Sequence, residues 1–402
     1  MRESWSGEVL KNVTLFKSGK TISKAIEKRS GDVLYVKVGD MNLEGNEESI
    51  TTSSRYVDSK DIKENQIIPI GAIIFPKRGG AIATNKKRII VKPTIVDLNT
   101  MAISPSNRLH SEYLYYWFQS IDLQKLSNGT SIPQINNNSF DNVLISFPKS
   151  LSEQKQIVAI LDEAFTAIDQ AKANIEKNIQ NAKELFQSKL NDIFSQKGDG
   201  WEEKTLKEIA KDFGRGKSKN RPRNDSKLFG GRYPFVQTGD VRNTGKILTT
   251  YSQTYNEVGL AQSKLWPKGT ICITIAANIA ETAILDFDSC FPDSIIGLVV
   301  DSKLADSDYT YYSLQFLKGK LQELGKGSAQ DNINLGTFQK QYFPFPNIKR
   351  QKGIVLILDK ISFQTSQVES KYQQKLLELE ELKKSILQKA FAGELTNKMV
   401  EV

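Results

Sequence analysis

The sequence is poor in the two residue types that most often build metal sites and nucleophilic catalytic groups. It has one histidine, His110, and two cysteines, Cys272 and Cys290, among 402 residues. A zinc site needs three or four suitable ligands, and a Ser-His-Asp or Cys-His arrangement would have to use His110. We expect a surface or helix-capping role for that histidine, which precedes an aromatic segment. The composition therefore predicts no metal site and no catalytic residues, and two cysteines cannot form a disulfide framework.

Long apolar runs are also missing. The longest, Ile67–Phe75 and Ile271–Ile279, are too short and too interrupted to cross a bilayer. The first residues, Met1-Arg-Glu-Ser-Trp-Ser, lack the apolar stretch of a signal peptide. These features predict a cytoplasmic protein with no membrane partner.

Two short motifs resemble nucleotide-binding loops but do not complete them. Gly19-Lys20-Thr21 and Gly216-Lys217-Ser218 match the end of a P-loop. That loop needs another glycine five residues before the second one, so that the backbone can wrap around the phosphates. Thr14 and Lys211 occupy those positions. We predict that neither segment binds a nucleotide.

Other enzyme motifs are equally incomplete. Pro292-Asp293 with Asp301-Ser-Lys303 imitates a metal-dependent nuclease, but the corresponding part of the first half of the chain has no second acid and lysine at that spacing. The Asn/Asp-Pro-Pro-aromatic motif and the glycine-rich cofactor loop of a methyltransferase do not occur. We therefore expect that the chain is not an enzyme.

The charge balance favours a polyanionic partner without proving one. Lys and Arg number 55 against 46 Asp and Glu, which gives a net charge of +9. A basic surface raises the local concentration of phosphates. Many proteins are mildly basic for other reasons, so the charge alone leaves nucleic-acid binding open.

The chain is a tandem repeat. Six segments recur in the same order, offset by about 194 to 200 residues. The matched pairs are Trp5–Lys20 with Trp201–Lys217, Val36–Met41 with Val236–Val241, Gly129–Asn136 with Gly327–Asn334, Phe147-Pro148 with Phe345-Pro346, Glu153–Ile157 with Arg350–Ile354, and Ser188–Phe194 with Ser385–Phe391. A repeat of this length is a duplicated domain.

Each repeat has two unlike parts. The first mixes short β-branched and aromatic runs with Gly, Asn and Pro, and one aromatic helix interrupts the strands, which is typical of an α+β domain. The second carries apolar residues at steps of three and four over about 40 residues, which predicts a helix about 60 Å long. We predict similar globular α/β domains at 1–149 and 198–347, a long helix at 150–197, and a second helix with a tail at 348–402.

An apolar stripe of this length needs a partner. The duplication favours two antiparallel coiled-coil helices that pair with each other and separate the two domains with pseudo-twofold symmetry. Parallel pairing, or pairing with another chain, stays open. One turn of B-DNA is about 34 Å, so such domains could address two half-sites a little under two turns apart.

The candidate DNA-binding residues are basic and amide side chains in glycine- and proline-containing loops. Arg and Lys bind phosphates and guanine, and Asn binds adenine. In the first domain the candidates are Lys17, Lys20, Lys77, Arg78, Lys86, Lys87 and Arg88, and in the second they are Arg215, Lys217, Lys219, Asn220, Arg221 and Arg223. The alternative is that these loops are ordinary solvated surface.

The repeated junctions resemble those of type I restriction–modification specificity subunits. Each domain runs into Phe-Pro, then Glu153-Gln-Lys or Arg350-Gln-Lys, then Leu-Asp, and each also has a Gly-Asp segment, at Gly39-Asp40 and Gly239-Asp240. The sequence departs from an exact repeat at Arg350, and at Asp331 where the first copy has Pro133.

The resemblance implies more than the residues do. It implies that each domain is a target-recognition domain for one half of an asymmetric, bipartite double-stranded DNA sequence. The helices would be the spacer and docking platform for two adenine-methylating modification subunits and for the restriction subunits, which form a translocating nuclease. S-adenosylmethionine, ATP and Mg²⁺ would then belong to those partners. A DNA- or RNA-binding coiled-coil adaptor outside a restriction system is the alternative.

Overall fold

Two compact units make up the protein. The computed structural model describes residues 3–129, 131–196, 198–219, 222–276, 279–326 and 335–395. Unit 1 contains Met1–Ile175 together with Gln374–Val402, and unit 2 contains Glu176–Gln373. Each of the two long helices therefore contributes one half to each unit.

Unit 1 is built on a five-stranded sheet in the order β2-β9-β6-β7-β4. Its elements are β1 (Trp5–Val9), β2 (Thr14–Ser18), β3 (Val33–Val36), β4 (Ser49–Ile50), β5 (Tyr56–Val57), β6 (Ile73–Pro76), β7 (Arg88–Ile90), β8 (Thr94–Val96), β9 (Thr100–Pro105), β10 (Leu144–Pro148), α1 (Ser111–Gln119), α2 (Leu123–Leu126) and α3 (Leu151–Ser195). Strand β4 runs parallel to β7, and the other neighbours in this sheet are antiparallel. Smaller sheets join β5-β3-β8 and β1-β10.

Unit 2 repeats the topology of the five-stranded sheet. Its elements are β11 (Glu202–Thr205), β12 (Ala210–Arg215), β13 (Phe229–Phe235), β14 (Ile247–Leu248), β15 (Gln253–Tyr255), β16 (Ile271–Thr274), β17 (Thr282–Leu285), β18 (Ile295–Val300), β19 (Tyr342–Phe345), α4 (Thr238–Arg242), α5 (Glu257–Ala261), α6 (Ser307–Lys326), α7 (Leu335–Lys340) and α8 (Ile348–Phe391). The sheet order is β12-β18-β16-β17-β14, again with only the last pair parallel. The prediction of two similar α/β domains and two long helices is confirmed.

The long helices complete the core of each unit. In unit 1 the buried apolar positions of α3 and α8 share one cluster, which includes Ile157, Leu161, Phe165, Ile168, Leu387 and Ala390. Lys172 pairs with Glu380, and Asp169 lies 3.9 Å from Lys383, so the two segments run antiparallel. In unit 2 the other halves meet in a second cluster, which includes Leu190, Phe194, Ile354 and Leu358. The precise boundaries predicted between domains and helices stay a prediction, because these units divide each helix in two.

A buried glutamine fixes the start of each long helix. Gln154 donates from Nε2 to the carbonyls of Pro148 (2.8 Å) and Arg108 (2.9 Å), and its Oε1 accepts from the His110 amide (2.7 Å). Gln351 donates to the Pro346 carbonyl at 2.7 Å and accepts from the Asp306 amide at 2.8 Å. In each repeat, the glutamine of the Gln-Lys motif thus binds the backbone of the Phe-Pro motif before it, and this contact links the long helix to the preceding strand.

The repeated Leu-Asp motif has a structural role as well. Leu161 and Leu358 are fully buried. The following carboxylates accept hydrogen bonds from tyrosine hydroxyls: Asp162 from Tyr116, and Asp359 from Tyr312 at 2.6 Å. Burial, followed by these carboxylates, raises the pKa of both tyrosines. Each motif therefore joins its long helix to the aromatic helix, α1 or α6.

Both cysteines are buried and unbridged, and burial raises the pKa of each thiol. In the part of the chain that the structure describes, no helix has the length and apolar character needed to traverse a bilayer.

Candidate nucleic-acid interface

In unit 1, one end of the five-stranded sheet gathers four of the predicted cations. Strands β2 and β6 both pair with β9 and both end near its first residues, Thr100 and Met101. Lys17 and Lys20 lie at the end of β2, and Lys77 and Arg78 directly follow β6. The Lys77 ammonium donates to the Ser18 hydroxyl at 3.0 Å. We call this set, Lys17, Lys20, Lys77 and Arg78, the unit 1 basic cluster.

The basic cluster keeps like charges close together. Burial and then the charge of Lys20 lower the pKa of Lys17. Burial and then Arg78 lower the pKa of Lys77, against a smaller opposing effect of Asp97. A bound anion would relieve this repulsion, because it interacts favourably with every cation of the group.

Glycine allows the chain to pass closely beside this cluster. A Cβ atom at Gly19 would lie 2.0 Å from the carbonyl oxygen of Asp97, so a larger residue would push the segment away from the sheet. Gly216 occupies the same place in unit 2, where a Cβ would lie 2.2 Å from the Phe291 carbonyl oxygen. In each Gly-Lys pair that imitates a P-loop, the glycine therefore lies where two backbone segments pass very close to each other. We call this place the glycine crossing.

Lys86, Lys87 and Arg88 do not join the basic cluster. Lys87 is fully buried and donates to the Ile121 carbonyl at 2.6 Å, and burial lowers its pKa to about 8. Arg88 donates to the carbonyls of Lys87 and Met41, and Lys86 donates to the Asn42 side chain. A buried ammonium cannot touch a phosphate, so the structure corrects the prediction for Lys87, and Arg88 is committed to holding neighbouring backbone.

Unit 2 presents its cations at the last residue of the equivalent strand, β12, and directly after it. Arg215 donates from Nε to the Asp293 carbonyl at 2.7 Å, and Arg223 pairs with the Asp293 carboxylate at 2.7 Å. Lys217 and Lys219 are exposed. The predicted contacts Asn220 and Arg221 lie outside the described residues. Asp293, which imitates a nuclease carboxylate in the sequence, here anchors the basic segment.

Backbone contacts hold the unit 2 segment in place. The Lys217 carbonyl accepts from the Ser263 hydroxyl at 2.8 Å, and the Lys219 amide donates to Gln262 Oε1 at 2.5 Å. Both contacts leave the lysine side chains in solvent. We call Arg215, Lys217, Lys219 and Arg223 the unit 2 basic segment.

A cleft beside the unit 2 basic segment contains amides that the sequence reasoning missed. The cleft has a volume of about 540 Å³, and Arg223, Asn224, Phe235, Gln237 and Gln253 contribute to its lining. Gln237 donates from Nε2 to Gln253 Oε1 at 2.7 Å. The only sequence signal was that Gln237 lies inside the repeated Val-x-x-Gly-Asp motif.

Comparison with known proteins points to one family. A family model described as the type I restriction modification DNA specificity domain matches residues 3–181 and again residues 198–378. The chain is 25% identical to the type I restriction enzyme StySPI specificity subunit of Salmonella potsdam, over 98% of this chain and 90% of the relative. It is 24% identical to the MjaIX specificity subunit of Methanocaldococcus jannaschii, over 98% and 94% of the two chains.

Solved structures show the same fold. A chain from a structure of complex assembly and conformational transition in the type I R-M system matches with a TM-score of 0.80 at 20% identity, over 98% of this chain and 99% of the other. The HsdS subunit from Thermoanaerobacter tengcongensis matches with a TM-score of 0.60 at 20% identity, over 98% of both chains. The two family matches coincide with the two repeats that share one sheet order. The chain therefore belongs to the family of type I restriction–modification DNA specificity subunits.

Proposed function

We propose that each unit binds one half of a bipartite double-stranded DNA target through the sheet end that carries its cations. The observation that carries this proposal is the equivalence of the two sites. Both units carry a lysine directly after the glycine crossing that follows the edge strand of the five-stranded sheet, Lys20 after Gly19 in unit 1 and Lys217 after Gly216 in unit 2. Phosphate contacts position a protein on DNA, and cations at matched places in two units would do so twice.

The cations that reach solvent at these sites define the proposed interface. They are Lys17, Lys20, Lys77 and Arg78 in unit 1, and Arg215, Lys217, Lys219 and Arg223 in unit 2. Of these, Lys17 is half-buried, and its ammonium also donates to the Ile67 carbonyl at 2.8 Å. Asn220 and Arg221 stay in the proposal on sequence grounds alone. Since the two units differ in their side chains, the two half-sites would differ in sequence.

The chain itself would perform no chemistry. Its relatives carry the names of specificity subunits, and one matching structure concerns assembly of a type I R-M complex. We propose that modification and restriction subunits dock on this chain in the cytoplasm. They would bring the S-adenosylmethionine, ATP and Mg²⁺ sites, and this chain would supply the target sequence.

The salt dependence of DNA binding tests the interface. Each phosphate contact that a protein makes steepens the fall of log K with log salt by about 0.9. Replacing Lys20 and Arg78 with alanine should therefore reduce the slope by up to about 2 and weaken binding to all sequences alike. The measurement is titration of the full-length chain with a duplex at several salt concentrations.

Two exposed lysines of α3 provide the matched control. Lys155→Ala with Lys177→Ala removes the same charge, and this variant should keep the wild-type slope. If the Lys20 and Arg78 variant also keeps that slope, this sheet end does not contact the phosphate backbone. If the wild-type chain shows no salt-dependent binding to duplex DNA, the proposed function itself is wrong.

A further inference from the structure

The two units place different side chains at the same pair of backbone positions. In unit 2, Phe235 of β13 pairs with Gln253 of β15. In unit 1, the amide of Tyr35 in β3 donates to the Arg55 carbonyl at 2.9 Å, and the next residues pair in the same register. Arg55 therefore stands where unit 2 has Gln253.

The second position of the pair follows from the repeated motif. Lys37 comes one residue after Val36 at the end of β3, and Gln237 comes one residue after Val236. The Lys37 amide donates to Asp40 Oδ2 at 2.8 Å. The Gln237 amide makes the same 2.8 Å bond to the second-repeat aspartate. Lys37 and Gln237 are thus equivalent.

The motif aspartate also fixes the opposite strand in both units. Asp40 accepts from the hydroxyl of Ser54, the residue before Arg55. Asp240 accepts from the hydroxyl of Ser252, the residue before Gln253, at 3.1 Å. One carboxylate thereby binds the first member of each pair and the residue before the second member, so this scaffold stays constant while the paired side chains change.

In unit 2 the pair offers one acceptor and one donor. The hydrogen bond from Gln237 Nε2 to Gln253 Oε1 fixes both amides. Gln237 Oε1 and Gln253 Nε2 keep their capacity to accept and to donate. Adenine presents the complementary pattern in the major groove, an N6 donor beside the N7 acceptor.

In unit 1 the pair offers donors only. Glu27 holds both cations, with Arg55 Nε at 2.7 Å and Lys37 Nζ at 3.5 Å from its oxygens, and Arg55 Nη1 donates to Ser54 Oγ at 2.9 Å. These contacts orient the guanidinium and leave Nη2 for another acceptor. Guanine presents two acceptors in the major groove, O6 and N7.

Both pairs lie next to the proposed phosphate contacts. In unit 1 the Val36 carbonyl accepts from the Asp97 backbone amide, and the Val96 carbonyl accepts from the Lys20 backbone amide, both at 3.1 Å. Only the end of strand β8 therefore lies between the backbone at Lys37 and the backbone of the basic cluster at Lys20. In unit 2, Gln237 and Gln253 line the same cleft as Arg223.

We propose that these paired positions determine base specificity, with Lys37 and Arg55 reading guanine in one half-site and Gln237 and Gln253 reading adenine in the other. The inference rests on the proposed DNA-reading function, and it names the residues that read bases and the bases that they read.

Selection of DNA sequences by the full-length chain provides the test. The probe is a pool of duplexes with two randomised half-sites, from which bound molecules are sequenced. Gln253→Glu keeps the side-chain shape but turns the remaining donor into an acceptor, so it should lose about tenfold or more of the adenine preference at one position and favour cytosine there. Arg55→Gln should lose a guanine preference of similar size in the other half-site.

Gln187→Glu, the same substitution at an exposed position of α3, is the control and should leave both half-sites unchanged. Unchanged preferences in Gln253→Glu and Arg55→Gln, or changes by both in the same half-site, would overturn this inference. In either case the wild-type chain still enriches a split sequence. If the wild-type chain enriches no sequence, the proposed function fails, and the two failures are therefore distinguishable.

Discussion

At the scale of single residues, the start of each long helix shows how the two repeats have diverged. Trp5 donates from Nε1 to Glu153 at 3.2 Å in unit 1. In unit 2 the equivalent Trp201 lies under the Arg350 guanidinium, 6.0 Å from the ring centroid. Arginine cannot accept a hydrogen bond, and the buried Trp201 Nε1 has no hydrogen-bond partner among the described residues. The sequence showed this substitution, but only the structure shows which neighbour it affects.

Giving unit 2 the carboxylate that unit 1 has at this position should therefore stabilise unit 2. In Arg350→Glu, the new side chain can accept from Trp201, and a negative charge in the first turn of a helix is favourable. We expect the free energy of unfolding to rise by about 1 kcal/mol. Thermal unfolding measures this, and Glu153→Arg, the mirror substitution in unit 1, should lower the melting temperature. A lower melting temperature for Arg350→Glu would contradict this account.

Lys87 shows why the candidate site could be read only in part from the sequence. Lys86, Lys87 and Arg88 look like a basic patch, yet β7 begins within this run, and Lys87 is buried against the Ile121 carbonyl and the Phe118 ring. In unit 2 the equivalent strand, β17, begins at Thr282, so a threonine stands there where unit 1 has a basic residue. By contrast, Lys20, Lys77 and Arg78 follow strand ends, where glycines mark the loops, and Lys17 is the last residue but one of β2. Gln237 and Gln253 meet only through strand pairing, which no local pattern reveals.

At the scale of elements, one buried glutamine ties the start of each long helix to backbone of the preceding domain. Gln154 is fully buried, and it uses both its donor and acceptor groups on backbone from two other elements. The repeated Gln-Lys motif was visible in the sequence. Its role was not, because the three partners are 6, 44 and 46 residues away.

Replacing this glutamine with leucine should destabilise unit 1. Gln154→Leu leaves the Pro148 and Arg108 carbonyls and the His110 amide buried without their partner, at a cost of about 1 to 3 kcal/mol for each such group. We expect a clear drop in melting temperature and faster hydrogen exchange at the start of α3. Gln156→Leu is the same substitution two residues away at an exposed position and should have little effect. Equal effects of the two substitutions would mean that the hydrogen bonds of Gln154 do not contribute to the stability of unit 1.

The helices themselves were the most predictable elements. The apolar spacing predicted 150–197, and α3 spans Leu151–Ser195. The predicted second helix begins at residue 348, where α8 also begins. Periodicity gives the length and the buried face of a helix, but not which part of it completes which core.

At the scale of the whole molecule, the last turns of α8 pack in the same unit 1 core as Trp5 of the first strand. Leu387 and Ala390 are buried in the unit 1 cluster, and the ring of Phe391 lies 5.3 Å from that of Tyr113. The family match and the tandem repeat divide the chain at its middle. The structural units divide it differently, because residues far apart in sequence complete one core.

A charge at Leu387 should therefore unfold unit 1 selectively. Leu387 is 7% exposed, so an aspartate there would be buried among apolar side chains, which is costly. We expect Leu387→Asp to remove hydrogen-exchange protection from β9 and α1 while unit 2 strands keep theirs. Leu377→Asp is the matched control on the same helix, since Leu377 is 64% exposed. Loss of protection in both units, or in neither, would show that α8 is not a specific part of unit 1.

The division of unit 1 between the two ends of the chain separates the order of synthesis from the order of folding. Unit 2 is one uninterrupted stretch, Glu176–Gln373, whereas unit 1 needs residues from Gln374 onward. At about 5 to 20 residues per second, the ribosome takes roughly 10 to 40 s to make the intervening segment. During that interval the nascent α3 must carry Ile157, Leu161 and Phe165 without their partners from α8. The core whose translation starts first is thus the core that is completed last.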